Sequence, residues 1–282
     1  HIVLEEDLCP GGLGLLVPST SDGRVLFMLP FHGRTLVGTT DEPCNSSDAA
    51  QPSPAGETYL RTYVREWFPK LKHPTVTSSW AGGRPLLKPA GDNLSSSRVV
   101  REHEVETLPC GLVSVMGGKW TTCRPMALDT LMAVEQQLGR PLPPPDPLPL
   151  IGASTSGTAT LTALAEQRQT LMSLLPNTTL QNAQIAHLQG SHGLQAAPVI
   201  ATAPPEDREP LSSVIPVCRA ELQWAITAEH ARSSSDVLAR RCRLAMVDLA
   251  EAQRLQPEVD ALLVQAGVAS ASTSPINHQL NP

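Results

Sequence analysis

Six prolines stand among the nine residues from Pro141 to Pro149. Each lacks a backbone donor and holds φ near −65°, so neither a helix nor a central strand can run through the segment. The chain is therefore read as two parts joined by a stiff linker over 141–160. Before the linker, short apolar runs alternate with turn residues. Leu13–Val17, Val25–Leu29 and Thr35–Val37 have strand character, and Ser21-Asp22-Gly23-Arg24 is a hairpin signal, because Asp-Gly tolerates positive φ. Apolar residues at 60, 63, 64, 67 and 68 predict a helix over 57–68 that Pro69 stops. Strand-like pieces return at Thr75–Trp80, Ser97–Val100 and Val105–Leu108.

Beyond the linker the pattern is helical. Leu161, Leu164, Ala165, Arg168, Leu171, Leu174 and Leu175 mark one helix, and Val217–Ala231 a second. Ser233 to Asp236 caps a third, with a stripe of Leu238, Cys242, Ala245 and Leu249. Residues 177–216 are rich in Gln, Ala and Pro and carry little periodicity, and 269–282 read as a disordered tail. The expected class is α+β: a mixed or antiparallel sheet domain over 1–140, then an all-α domain over 161–268.

A net charge of −6 argues against a general nucleic-acid binder, which needs a basic face. The run Arg240-Arg241-Cys242-Arg243 is read as a solvated helix face. Six cysteines form no C-x-x-C pair and no zinc spacing, so they are expected to be small buried residues in a reducing compartment, with no metal site. There is no apolar run of about 18 residues to span a bilayer, and no signal peptide is recognised. His1-Ile2-Val3-Leu4 reads as a strand already in progress, so the chain is expected to be a fragment.

The richest segment is 111–140. Gly111–Met116 is a buried-strand pattern, Gly117-Gly118 a sharp turn, and Lys119-Trp120-Thr121-Thr122 the start of a helix that Gly139 ends. Such a turn leaves N–H groups unpaired, and the helix dipole places about half a positive charge beside them. By itself this is an ordinary strand-to-helix turn. Likewise Arg84, after Gly82-Gly83 and before Pro85, is by itself an ion-pair candidate.

Several phrases together resemble one family. They are Val37-Gly38-Thr39-Thr40-Asp41, Trp80-Ala81-Gly82-Gly83-Arg84-Pro85-Leu86, Arg101-Glu102-His103, Gly117-Gly118-Lys119-Trp120-Thr121-Thr122-Cys123-Arg124, and Ala228-Glu229-His230-Ala231 followed by Ser235–Arg241. In this order they resemble the FAD-dependent glycerol-3-phosphate dehydrogenases, within the D-amino-acid-oxidase-like flavoproteins. The likeness covers about 1–140 and 217–260. Cys123 stands where the family usually has Tyr. The G-x-G-x-x-G that cradles the FAD pyrophosphate is missing, and Gly11-Gly12-Leu13-Gly14 is a poor substitute, because it neither follows a complete strand nor opens a helix.

The resemblance implies hydride transfer from C2 of sn-glycerol 3-phosphate to FAD, giving dihydroxyacetone phosphate. It implies that Arg84 and Arg101 supply substrate cations, Arg84 through a planar two-pronged contact. Lys119 adds charge for substrate and flavin. Gly117, Gly118, Lys119, Trp120, Thr121 and Thr122 are expected at the flavin edge, with Thr121 or Thr122 capping the helix. His1 is expected to accept the hydroxyl proton, and Asp41 to act in a turn network. The other histidines are expected to be surface or structural. The electron acceptor implied is a quinone or oxygen. A homodimer and a peripheral contact with the inner or cytoplasmic membrane are compatible with the likeness, as is a cytoplasmic place. Two alternatives stand beside this reading: a truncated remnant serving as a helical interaction module, and another oxidase of the same superfamily.

Overall fold

The computed structural model describes residues 1–83, 102–143, 148–268 and 276–277. Arg84 and Arg101 lie outside these residues, as do the strand expected at 97–100 and most of the expected tail. The chain forms two compact units, one of 1–82 with 149–282 and the other of 83–148.

The first unit contains a five-stranded antiparallel sheet in the order β2-β3-β4-β1-β5, with β1 Ile2–Leu4, β2 Leu15–Val17, β3 Leu26–Phe31, β4 Arg34–Gly38 and β5 Val76–Ser79. The two-residue period of a strand divides its faces. Ile2, Leu4, Val17, Leu26, Met28 and Val37 pack with Leu60, Tyr63 and Val64 of helix α1, Pro54–Trp67. The helix starts three residues earlier than its apolar spacing predicts, because Ser53 caps it and Pro54 fits its first turn. The expected hairpin turn is present and is tied to α1 by Tyr63, whose hydroxyl accepts the Ser21 N–H at 2.7 Å. Gly11 and Gly12 lie in a short 3-10 turn that leads to β2 and opens no helix.

The opposite face of β1 and β5 meets the C-terminal segment. Thr77 Oγ1 donates to the Val247 carbonyl at 2.7 Å and Ser78 Oγ to the Ala245 carbonyl at 2.8 Å. Arg34 on β4 pairs with Asp248 at 2.6 Å, both largely buried. Away from this contact the same face leaves Leu16 and Phe27 exposed.

The helical part of this unit differs in detail from the sequence pattern. Helix α3 spans Gly157–Leu174 and is capped by Ser156. The weakly patterned 177–216 region holds two further helices, α4 Gln181–His192 and α5 Ala196–Ala201. Their periodicity is masked because α4 buries the polar Gln184 beside Ile185 and Leu188, its amide donating to the Arg208 carbonyl. Helix α6, Arg219–Thr227, ends before Ala231, where His230 takes positive φ. The third expected helix is three pieces: a π-turn at Asp236–Arg241, then α7 Leu244–Val247 and α8 Leu249–Gln265, with Arg243 at φ 63° between the first two. Leu238, Cys242, Ala245 and Leu249 are all buried as their spacing implied, although no single helix carries them. The basic run is only in part a solvated face: Arg243 is exposed, but Arg240 and Arg241 are engaged. Arg240 pairs with Asp236 at 2.6 Å, and Arg241 donates to the Glu229 carbonyl at 2.8 Å. Cys9, Cys218 and Cys242 are buried, but Cys44, Cys110 and Cys123 are exposed, contrary to expectation.

The second unit has a hairpin of β6, His103–Thr107, and β7, Val113–Gly117, followed by α2, Cys123–Leu138. Gly139 ends α2 in the left-handed conformation. His103 Nε2 lies 2.7 Å from Asp129 and ties the hairpin to the helix. No helix among the described residues is long and apolar enough to cross a membrane.

The buried Glu221 of α6 is the electrostatic centre of the helical part. His187 Nε2 lies 2.8 Å from its Oε1 and His192 Nε2 3.0 Å. Burial alone would raise its pKa. The His187 charge and the hydrogen bonds from both histidines outweigh burial and hold it down to about 2. Burial alone would lower the His192 pKa, but its bond to Glu221 and the charges of Glu221 and Glu229 raise it. The Glu221 contribution is thus present above its unfolded value of about 4.3 and is lost as pH falls toward 2. The His192 contribution is full below about 6.5 and is lost as pH rises through its raised folded value. Glu221→Gln should cost about 3–5 kcal/mol near pH 6, because it leaves two buried histidines without their carboxylate. Urea unfolding from pH 4.5 to 8 checks this, and a cost below 1 kcal/mol at pH 6 would refute it.

Candidate active site

The first part of the site lies where three neighbouring strands end on one face of the sheet. Ile2 is paired with Val37 on one side and Ser79 on the other. His1 therefore falls between Gly38 and Trp80. The backbone confirms the register: His1 N donates to the Trp80 carbonyl at 2.9 Å, and Trp80 N donates to the His1 carbonyl at 3.0 Å. The imidazole and indole rings stack with centroids 4.4 Å apart and planes 13° from parallel. On the other side the imidazole lies against Gly38, where a Cβ would overlap its Cδ2 and approach Nε2 to 2.8 Å. His1 is half-buried in this slot and is not frayed from the sheet.

The loop after β4 packs on the start of α1. Thr39 Oγ1 donates to the Thr40 carbonyl at 2.9 Å. Ser53 Oγ donates to Glu42 at 3.0 Å and accepts the Gly56 N–H at 2.9 Å. Glu42, two residues beyond the Gly-Thr-Thr segment, is thereby tied to a helix cap.

The residues expected at the flavin edge form a separate region in the other unit. Gly117 and Gly118 take φ of 73° and 82°, as the sequence requires of a turn this sharp. Gly118 has a packing reason as well: a Cβ there would stand 2.5 Å from Met126 Sδ and 3.2 Å from His103 Cβ. A 3-10 turn at Trp120–Thr122 leads into α2. Thr122 does not cap α2 itself. Its Oγ1 accepts the Lys119 N–H at 3.2 Å and donates to the Lys119 carbonyl at 3.0 Å, which closes the turn one step earlier. Thr121 makes no cap, because the 3-10 turn places the α-helix start after it. Among the described residues, the N–H groups of Trp120 and Thr121 have no acceptor. Trp120 is 90% exposed and Lys119 is exposed beside it.

Of the residues expected at the site, the structure describes His1 in one unit and Gly117 to Thr122 in the other. Trp80 stands out only in the structure. In the sequence it is one letter of a motif, and the available signal was register: it follows β5 as His1 precedes β1. A cavity of about 200 Å³ beside Glu221 in the helical part is lined by His192, Glu229, Arg240 and Arg241 among others. Its acids and bases are paired with one another.

Residues 1–124 match the FAD dependent oxidoreductase family, and residues 146–270 match the C-terminal domain of alpha-glycerophosphate oxidase. A probable mitochondrial glycerol-3-phosphate dehydrogenase of Dictyostelium discoideum is 35% identical over 272 residues, covering 92% of this chain and 41% of that protein. The mitochondrial glycerol-3-phosphate dehydrogenase of Schizosaccharomyces pombe is 32% identical over 283 residues, covering 89% and 43%. The crystal structure of the Bacillus halodurans glycerol-3-phosphate dehydrogenase complexed with FAD matches with a TM-score of 0.74 at 22% identity, over 94% of this chain and 51% of that one. At that identity the likeness speaks for the fold. The fold is that of a partial D-amino-acid-oxidase-like flavoprotein followed by a helical C-terminal part. The chain belongs to the FAD-dependent glycerol-3-phosphate dehydrogenase family, and it spans less than half the length of these curated relatives.

Gly118→Ala should lower the stability of the 83–148 unit by about 1–3 kcal/mol, because it adds both positive-φ strain and overlap with Met126. Denaturant unfolding of the Gly118→Ala protein, with Gly139→Ala as the control for positive φ in open space, checks this. Equal costs at the two positions would count against the packing role.

Proposed function

We propose that this chain supplies the substrate-binding sheet, the flavin-ring edge and the helical C-terminal part of a flavoenzyme that oxidises sn-glycerol 3-phosphate to dihydroxyacetone phosphate. The observation that carries the flavin edge is the pair of unfilled donors at Trp120 and Thr121, set at the positive end of α2 with Lys119 beside them. That donor set fits the electron-rich N1 and C2 carbonyl side of an isoalloxazine ring. FAD, when bound, supplies the acceptor for a hydride from substrate C2. Residues 117–122 would hold the ring edge through backbone N–H groups and balance negative charge gathered there. His1 would accept the proton of the C2 hydroxyl. Arg84, Arg101 and Lys119 would hold the phosphate dianion and the C2 oxygen.

Residues 1–140 then divide between the substrate sheet and the last strand and helix of a flavin-binding domain. The helical part begins inside the stretch expected as a linker over 141–160, with α3 at Gly157, and it packs with residues 1–82 in one compact unit in place of the separate domain expected over 161–268. The electron acceptor in this reading is a quinone or oxygen, and the location is cytoplasmic or peripheral to a membrane. A homodimer fits the reading equally.

Purified alone, the chain should retain no FAD, because the pyrophosphate-binding glycine loop is not in it; a visible flavin spectrum at one equivalent would contradict this. Joined to the N-terminal part of a relative, Arg84→Lys should lower kcat/KM by an amount worth roughly 2–4 kcal/mol with flavin content unchanged. Lys119→Ala should instead lower the flavin potential, since it removes a positive charge beside the ring. Arg84→Lys within twofold of the parent would refute the two-pronged contact.

A further inference from the structure

We propose that Trp80 is a positioning residue for His1, held in place by the C-terminal helical part of the chain; this rests on the proton-accepting role given to His1 above. A histidine at the end of a strand has two free side-chain torsions, and each wrong rotamer removes its nitrogens from a reacting group. Here the ring has walls on both sides. Trp80 covers one face at 4.4 Å, nearly parallel, and the Gly38 backbone covers the other. Both walls are direct cross-strand neighbours of His1, so the slot is a product of the sheet register. Gly38 is required for the lack of a Cβ: any side chain there would occupy the position of the imidazole.

The indole is in turn fixed from outside the sheet. Its Nε1–H donates to the Met246 carbonyl at 3.3 Å. Met246 lies on α7, which follows the strained Arg243. The flanking carbonyls of Ala245 and Val247 accept from Ser78 and Thr77 on β5, and Asp248 pairs with Arg34 on β4. Trp80 also packs against the apolar core of the helical part. Four side chains of the sheet thus grip one short turn, and that turn presents a carbonyl to the ring that orients His1. This gives the C-terminal part a role in the chemistry without placing any of its residues on the substrate.

The experiment labels the histidine rings of this chain with carbon-13 and assigns His1 by its loss in His1→Gln. An indole face shifts protons stacked on it upfield, so the His1 ring resonances should lie apart from those of the exposed histidines. Trp80→Leu should return them to the exposed position. Trp80→Phe keeps an aromatic face without the N–H and should retain part of the displacement. Gly38→Ala should also displace the signals, by filling the slot. Circular dichroism identifies any variant that fails to fold, and the remaining variants then decide. Parent signals that coincide with those of the exposed histidines, or that are unmoved by Trp80→Leu and Gly38→Ala in folded protein, would overturn the proposal.

A kinetic arm uses the chain joined to the N-terminal part of a relative. Trp80→Leu should lower kcat about ten- to a hundredfold with KM little changed, and Trp80→Phe should recover much of it. If His1→Gln abolishes turnover while Trp80→Leu does not affect it, positioning fails. If His1→Gln leaves turnover intact while the resonances behave as expected, the slot stands and the proton-accepting role fails.

Discussion

The sheet of this protein depends on β1, a strand of three residues that pairs on both sides. Ile2, Val3 and Leu4 are all buried, because α1 covers one face and the C-terminal segment meets the other. A central strand gives up all its backbone groups to its neighbours, so its register sets theirs. That register decides which residues stand beside His1: a slip of one residue on β4 or β5 would turn Gly38 or Trp80 to the α1 face.

The second constraint is the contact between the sheet and the 244–248 turn. It consists of directed polar bonds, from Thr77, Ser78, Trp80 and Arg34 to three carbonyls and one carboxylate. Asp248 has two duties there, because it also caps α8 by accepting the Glu251 N–H at 3.0 Å. The start of α8 and strand β4 are thus bound to one residue. Such a joint transmits position in a way that apolar packing of the same area would not, since hydrogen bonds carry direction. The burial of Cys218 and Cys242, which pushes both thiols up to about 12, fits a core built for packing and not for thiol chemistry.

Much of this was legible in the residues. The Ser21–Arg24 turn, helix α1, the Gly117-Gly118 turn and the end of α2 at Gly139 all follow from local rules for positive φ, proline and apolar spacing. So did the family, because its motifs are short and consecutive. What escaped were elements whose signal is spread through space. Helix α4 looked featureless because its buried face includes Gln184, a polar residue whose amide N–H donates to a carbonyl 24 positions away. The stripe from Leu238 to Leu249 suggested one helix, and its burial was right, but Arg243 breaks it so that α7 can reach β5. The basic run suggested solvent, but Arg240 pairs with Asp236 four residues back in the same turn, and Arg241 meets Glu229 when the chain turns back at His230.

The sequence by itself determined where the chain must turn, which stretches bury an apolar face, and which family its motifs resemble, because these are properties of neighbouring residues. Tertiary structure decided that His1, Gly38 and Trp80 form one slot and that Met246 reaches it. Those four residues are separated by 37, 42 and 166 positions, and no local preference links them. Only strand register and a turn from the far end of the chain bring them together, and both are set by which surfaces remain to be buried once the local elements have formed.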